Sequence, residues 1–146
     1  MWSIILLKLS LNRSSKIKSS LVKESFFDIN KLIDHIDNQD LNSYMNFIVE
    51  SLFAANKYFN DQEPWNKKSD TLRLNTIVYV SLEIIRKISI MLYPIIPSSS
   101  LQALKIFNIQ EKDIKFDSIK NHNQLKFNNK INKIDILFKK IDNKND

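Results

Sequence analysis

The sequence predicts an all-α fold, an antiparallel helix bundle followed by an irregular C-terminal segment. Apolar residues recur at intervals of three and four from Phe26 to Phe107, which is the spacing of one helix face. The 146 residues include no glycine, the residue that tight hairpin turns with positive φ most often require, so a β fold is disfavoured. This length and a hydrophobic content of 43% fit one domain with its own core.

The first two predicted helices flank a short polar turn. The first covers about residues 25–37, and its apolar residues are Phe26, Ile29, Ile33 and Ile36. Residues 37–40 are polar and suit a turn, and Asp40 can cap the second helix. Its stripe spans five turns, with Leu41, Tyr44 or Met45, Ile48, Leu52, Ala55 and Phe59. Pro64 disfavours the α region at Glu63, which predicts that the helix ends near there.

Two further helices follow this boundary. The third covers about residues 71–93, and Pro94 and Pro97 end it. Its buried side is expected to hold Leu74, Ile77, Val78, Ser81, Ile84, Ile85, Ile88, Met91 and Leu92. A serine at position 98, 99 or 100 can cap a shorter fourth helix, which carries Leu101, Leu104 and Phe107. After Asn108 the pattern decays, and residues 109–130 are expected to be extended or partly ordered.

Composition excludes several function classes. Without glycine there is no P-loop, dinucleotide-binding GxGxxG or kinase glycine-rich loop. Without cysteine there is no disulfide or thiolate metal site, and His35 and His122 alone make a histidine-only zinc site implausible. We find no catalytic constellation and expect no cofactor and no metal. Residues 76–96 form the most apolar stretch but include three charged residues, so we expect no membrane span and a cytoplasmic protein.

Charge and one aromatic residue leave a binding function open. The net charge is +6, with +4 in residues 1–25 and +3 in residues 111–146. Such ends can attract phosphate, although solvated lysine-rich ends are the simpler interpretation. Trp65 follows Pro64 at the mouth of a helix, close to Lys67 and Lys68. It could stack on an unpaired base, but the residues alone favour a tryptophan that covers the edge of the core.

Three motifs, in order, resemble class I methionyl-tRNA synthetases. ANKYFNDQEPW at residues 55–65 resembles the family's ANxYxxxxEPW helix end. LYPIIPSSS at residues 92–100 is similar to the break between the last helices of the anticodon-binding bundle. KIN at 130–132 and LFKKID at 137–142 resemble the family's closing segment. The resemblance divides the chain into a poorly matching segment 1–21, a helical bundle 22–108 and an extension 109–146 whose last apolar cluster docks back on the bundle.

The resemblance implies a domain that reads the CAU anticodon of tRNA(Met). Trp65 would stack on an anticodon base, Pro64 would set its approach, and Asn56 would join them in the anticodon site. Lys67 and Lys68 would lie near phosphate. The family's Asn-x-x-x-Arg pair on the first helix of the bundle is not found here.

The family's catalytic motifs, His-x-Gly-His and Lys-Met-Ser-Lys-Ser, are also not found in this sequence. We therefore expect a chain that is inactive alone, a fragment or split subunit that supports ATP-dependent charging of tRNA(Met) by a separate catalytic chain. The alternatives are a helical protein–protein interaction module, in which Trp65 is an anchor, and an inactive remnant.

Overall fold

The computed structural model describes residues 28–120, 125 and 131–133. These residues form four α-helices and no strand: α1 (Ile29–Asp37), α2 (Leu41–Gln62), α3 (Thr71–Leu92) and α4 (Pro97–Leu104). Short 3₁₀ turns lie at Pro64–Asn66, Lys105–Phe107, Glu111–Asp113 and Phe116–Ile119. Consecutive helices pack against each other. The predicted all-α fold is confirmed.

Aspartates cap the first three helices. The Asp28 carboxylate accepts from two backbone N–H groups of α1, at 3.0 and 3.3 Å. Asp40 accepts from the Ser43 N–H at 3.0 Å, as its position in the sequence predicted, and Asp70 accepts from the Arg73 N–H at 2.9 Å. Each carboxylate satisfies N–H groups that have no partner within the helix. These caps explain where the three helices begin, and α1 begins at Ile29 instead of near residue 25 because Asp28 is its cap.

The fourth helix begins differently from the prediction. Pro97 occupies its first position, and Ile96 precedes it without a side-chain cap. Proline suits the first turn because it has no N–H to leave unpaired. The predicted cap by Ser98, Ser99 or Ser100 is therefore wrong, and Pro97 starts α4 rather than ending the preceding helix.

The buried faces of α1 and α2 differ in part from the predicted apolar stripes. In α1, Leu32 is 1% exposed, whereas Ile33 and Ile36 are 37% and 40% exposed. In α2, Tyr44 and Ile48 are buried as expected, but Leu41, Leu52 and Phe59 are exposed, while Ser51 and Tyr58 are buried. Both sequences offer neighbouring apolar residues, and packing between the helices selects among them. Phe26 lies outside the described residues.

The core is built around α3, which contacts α2, α4 and the 3₁₀ turn Phe116–Ile119. Ile77, Ile84, Ile88 and Met91 are buried as predicted. Ile85 is 46% exposed, so its predicted burial is wrong. Because α3 is covered on several sides, residues that the single-face prediction left outside are buried too, among them Tyr79, Val80 and Ile90.

Three charged residues of α3 form a buried cluster, defined by Glu83, Arg86 and Lys87, each 3% exposed or less. The Arg86 guanidinium donates two hydrogen bonds to the Glu83 carboxylate, at 2.6 and 3.0 Å. It also donates to the Ser118 carbonyl at 2.9 Å, and Glu83 accepts from the Leu125 N–H at 3.1 Å. Burial lowers the pKa of Lys87, and the Glu83 charge opposes the shift. The cluster therefore binds backbone of the segment after the bundle to α3.

Other contacts also hold parts of that segment against the bundle. Ile119 is 2% exposed. The Asn132 backbone N–H donates to the Ile106 carbonyl at 3.0 Å, and its side chain donates to the Lys105 carbonyl at 2.9 Å. The predicted apolar cluster at residues 134–141 lies outside the described residues, and the bounds of the three predicted segments stay predictions. No described helix has the length and apolar character that a bilayer span needs.

Candidate nucleic-acid interface

The connection between α2 and α3, residues 63–70, is called the Trp65 turn. It starts with Glu63 in the left-handed region at φ 45° and ψ 59°, which ends α2 as the following proline predicted. Pro64 is buried and begins the 3₁₀ turn. The N–H groups of Asn66 and Lys67 donate to the carbonyls of Glu63 and Pro64, at 2.9 and 3.2 Å. The turn is therefore a defined hydrogen-bonded structure rather than an extended linker.

This turn presents Trp65 to solvent. The side chain is 51% exposed, whereas the neighbouring Pro64 is buried. The ring of Phe59 packs against Trp65 edge to face, with centroids 6.2 Å apart and an interplanar angle of 61°. An indole supported by one ring and half open to water offers an area on which a nucleobase can stack.

Asn56 lies on α2, about one turn before Phe59. Its side chain is exposed and lines a groove of about 310 Å³ between α2 and α3. The larger apolar side chains of this groove are Leu52, Phe59, Ile84, Ile85 and Ile88. Phe59 thus links the two predicted anticodon residues, because it lines the groove with Asn56 and packs on Trp65.

Lysine side chains stand on the C-terminal side of Trp65. Lys67 is half-buried and Lys68 is exposed. Within residues 28–120, neither forms an ion pair, whereas the exposed Lys57 is paired with Asp61 at 2.9 Å. An ammonium group that is not committed to a carboxylate keeps its full attraction for phosphate.

Sequence reasoning missed one contact at the base of the turn. The Arg73 guanidinium, in the first turn of α3, donates a hydrogen bond to the side-chain oxygen of Gln62, the last residue of α2. Arg73 and Gln62 are both polar residues near helix ends, and they contribute to no apolar stripe. Periodicity therefore gave no signal for them.

The described part of the chain shows no group of three or more His, Cys, Asp or Glu residues that could hold a metal ion. The Trp65 turn carries a half-exposed indole and two lysines, and an exposed amide on α2 lines the groove that Phe59 shares with it. Their chemistry is stacking, hydrogen bonding and charge attraction, which together suit a single-stranded nucleic acid.

Comparison with known proteins also points to a domain that binds nucleic acid. Residues 13–146 match the family model for the anticodon binding domain of methionyl tRNA ligase. The methionine–tRNA ligase of Thermotoga maritima is 34% identical over 128 residues, which are 86% of this chain and 20% of the relative. The enzyme of Picrophilus torridus is 33% identical over 114 residues, which are 74% of this chain and 16% of the relative. The chain thus spans a fifth or less of the length of these curated relatives.

Proposed function

The chain belongs to the family of anticodon-binding domains of methionyl-tRNA ligases, and on that premise we propose that it binds the anticodon loop of tRNA(Met). The observation that carries the proposal is the Trp65 turn, which exposes about half of an indole beside two lysines that form no ion pair within residues 28–120. The loop of an anticodon stem is single-stranded, and its unstacked bases are the part of a folded RNA that proteins read.

Each residue of the site has a distinct role in this proposal. Trp65 stacks on an anticodon base, a contact that contributes about 1–3 kcal/mol. The buried Pro64 fixes the backbone from which the indole projects. The side-chain amide of Asn56 offers N–H donors and an oxygen acceptor to the edge of a base. Lys67 and Lys68 approach the phosphates. The basic ends of the sequence add attraction that does not depend on base identity.

Charging of the tRNA is assigned to a catalytic domain outside these 146 residues. The relatives are methionine–tRNA ligases several times longer than this chain. The sequence has no glycine and contains neither catalytic motif of the family. We therefore propose that this chain supplies recognition, as a fragment or a split subunit, and that a catalytic chain in the cytoplasm supplies ATP-dependent charging.

A second candidate function is docking of a partner protein on the α2–α3 groove. Three large apolar residues that line this groove are exposed: Leu52, Phe59 and Ile85, at 39%, 39% and 46%. Contiguous exposed apolar surface often marks an interaction site. This alternative requires no preference for RNA, so binding to a stem-loop separates the two functions. An inactive remnant would bind neither a protein nor an RNA.

Lys67 and Lys68 give the proposal a salt-dependence test. Replacing both with alanine should reduce the slope of log K against log salt for a CAU stem-loop by about 1.4, since each phosphate contact to a single strand contributes about 0.7. The slope is measured by titration at four salt concentrations. The matched control replaces Lys31 and Lys105, which are exposed residues outside both the Trp65 turn and the basic ends. Equal slopes for the two double variants would contradict a phosphate role for Lys67 and Lys68.

A further inference from the structure

The Trp65 turn is closed at its base by one side-chain contact. The turn joins the last residue of α2, Gln62, to the first residue of α3, Thr71. The guanidinium of Arg73 donates to the side-chain oxygen of Gln62 and so connects the two helices directly. We call this contact the clasp. The clasp lies where α2 ends and α3 begins, and it therefore restrains the distance between these two helix ends.

Arg73 is held from both sides. Its backbone N–H donates to the Asp70 carboxylate at 2.9 Å, within the cap of α3. Burial raises the pKa of the Tyr58 hydroxyl, and the nearby positive charge of Arg73 opposes this rise. Tyr58 is one turn before Gln62 and on the same face of α2. The guanidinium is thus bonded to a side chain of α2, while the backbone of Arg73 belongs to α3.

The position of the indole depends on the turn that carries it. Trp65 is 51% exposed, and its ring contact within the described residues is the edge of Phe59 at 6.2 Å. The turn also begins with a residue other than glycine at φ 45°, a conformation that persists only where its surroundings impose it. A contact that fixes the helix ends thus also fixes the direction in which Trp65 projects.

We propose that Arg73 is a positioning residue for Trp65, and that its clasp on Gln62 presets the indole for stacking on an anticodon base. The inference rests on the proposed function, since it assigns a further residue to the same site. A preset side chain does not lose rotational freedom on binding, which raises affinity without any new contact to the ligand. Arg73 then acts through Trp65 and does not itself touch the base.

The test uses Gln62, because truncating its uncharged side chain breaks the clasp and leaves every positive charge in place. In the full chain with Trp2→Phe, Trp65 is the sole tryptophan, and its fluorescence reports its environment. Gln62→Ala should increase acrylamide quenching of Trp65 in the absence of RNA. It should also weaken binding to a CAU stem-loop by about three- to tenfold, the value of one hydrogen bond, with an unchanged salt slope.

Gln110→Ala is the matched control, an exposed glutamine outside the turn that should change neither quenching nor affinity. A second variant, Arg73→Met, tests whether the two residues act through one contact. The double variant should then bind no more weakly than Arg73→Met alone. Additive losses, or quenching that Gln62→Ala leaves unchanged, would overturn the inference even if Trp65 binds RNA. Increased quenching in a chain that shows no preference for CAU would support the clasp and refute the proposed function.

Discussion

Replacing Glu83 by glutamine should lower the free energy of unfolding by about 3–5 kcal/mol. Glu83 is fully buried, accepts two hydrogen bonds from Arg86, at 2.6 and 3.0 Å, and accepts a third from the Leu125 N–H at 3.1 Å. The substitution removes the carboxylate charge that is paired with the buried Arg86 guanidinium, which costs far more than an exposed ion pair contributes. Urea denaturation of the purified variant measures the loss.

Two further variants make this result specific. Glu50→Gln removes a carboxylate from an exposed position on α2 and should change the free energy of unfolding by no more than about 0.5 kcal/mol. Combining Glu83→Gln with Arg86→Met removes both charges, so the double variant should lose less than the two single losses added together. Purely additive losses would show that the pair does not act as one buried unit.

Replacing Trp65 by alanine should weaken binding to a CAU anticodon stem-loop by about 1–3 kcal/mol, or about 5- to 150-fold. The loss is that of one base–aromatic stack, because the substitution removes the ring and leaves Lys67 and Lys68 in place. Trp65→Phe keeps a smaller ring and should lose less. Fluorescence anisotropy of a labelled stem-loop measures these affinities.

The control for Trp65 is another exposed aromatic residue. Phe53 lies on α2, six positions before Phe59, and is 70% exposed. Phe53→Ala should leave RNA affinity unchanged, whereas the docking alternative predicts that Trp65→Ala leaves it unchanged as well. Equal affinity of parent and Trp65→Ala for the CAU stem-loop would exclude the stacking role.

The helix boundaries were predictable because local signals fixed them. Asp40 and Asp70 supply caps, and Pro64 ends the region available to α2, so the observed bounds of α2 and α3 lie close to the predicted ones. The phase of the helices was less predictable. The predicted apolar stripe of α1 contained Ile33 and Ile36 but not Leu32, because all three residues are apolar and only the packing on α2 distinguishes them.

The hydrophobic periodicity of the sequence could not show that charged residues of α3 are buried. Glu83, Arg86 and Lys87 were reasons to reject a membrane span, and the predicted buried side of α3 did not include them. Their partners lie at Ser118 and Leu125, more than thirty positions away in the chain. Glu83 and Arg86 also pair with each other within α3, but opposite charges at this i,i+3 spacing are equally typical of an exposed helix face. The distant backbone partners of the pair leave no pattern within the helix.

The candidate site was found through a motif and not through periodicity. Residues 55–65 carry the resemblance that singles out Asn56, Pro64 and Trp65, while the residues alone favoured a tryptophan at the edge of the core. In the structure Trp65 is half exposed beside Phe59, which agrees in part with both interpretations. The contact of Arg73 with Gln62 had no motif to mark it, since it depends on how two helix ends approach each other.

The most direct test of the proposed function is a titration of the purified chain with two anticodon stem-loops at physiological salt. One carries CAU, and the other carries the same bases in scrambled order. An anticodon-binding domain should bind the CAU loop at least about fivefold more tightly, since one base edge that is read by hydrogen bonds contributes about 1–3 kcal/mol of discrimination. Equal, weak and salt-sensitive binding to both loops would mean that only the basic charges act, and would contradict recognition of the anticodon.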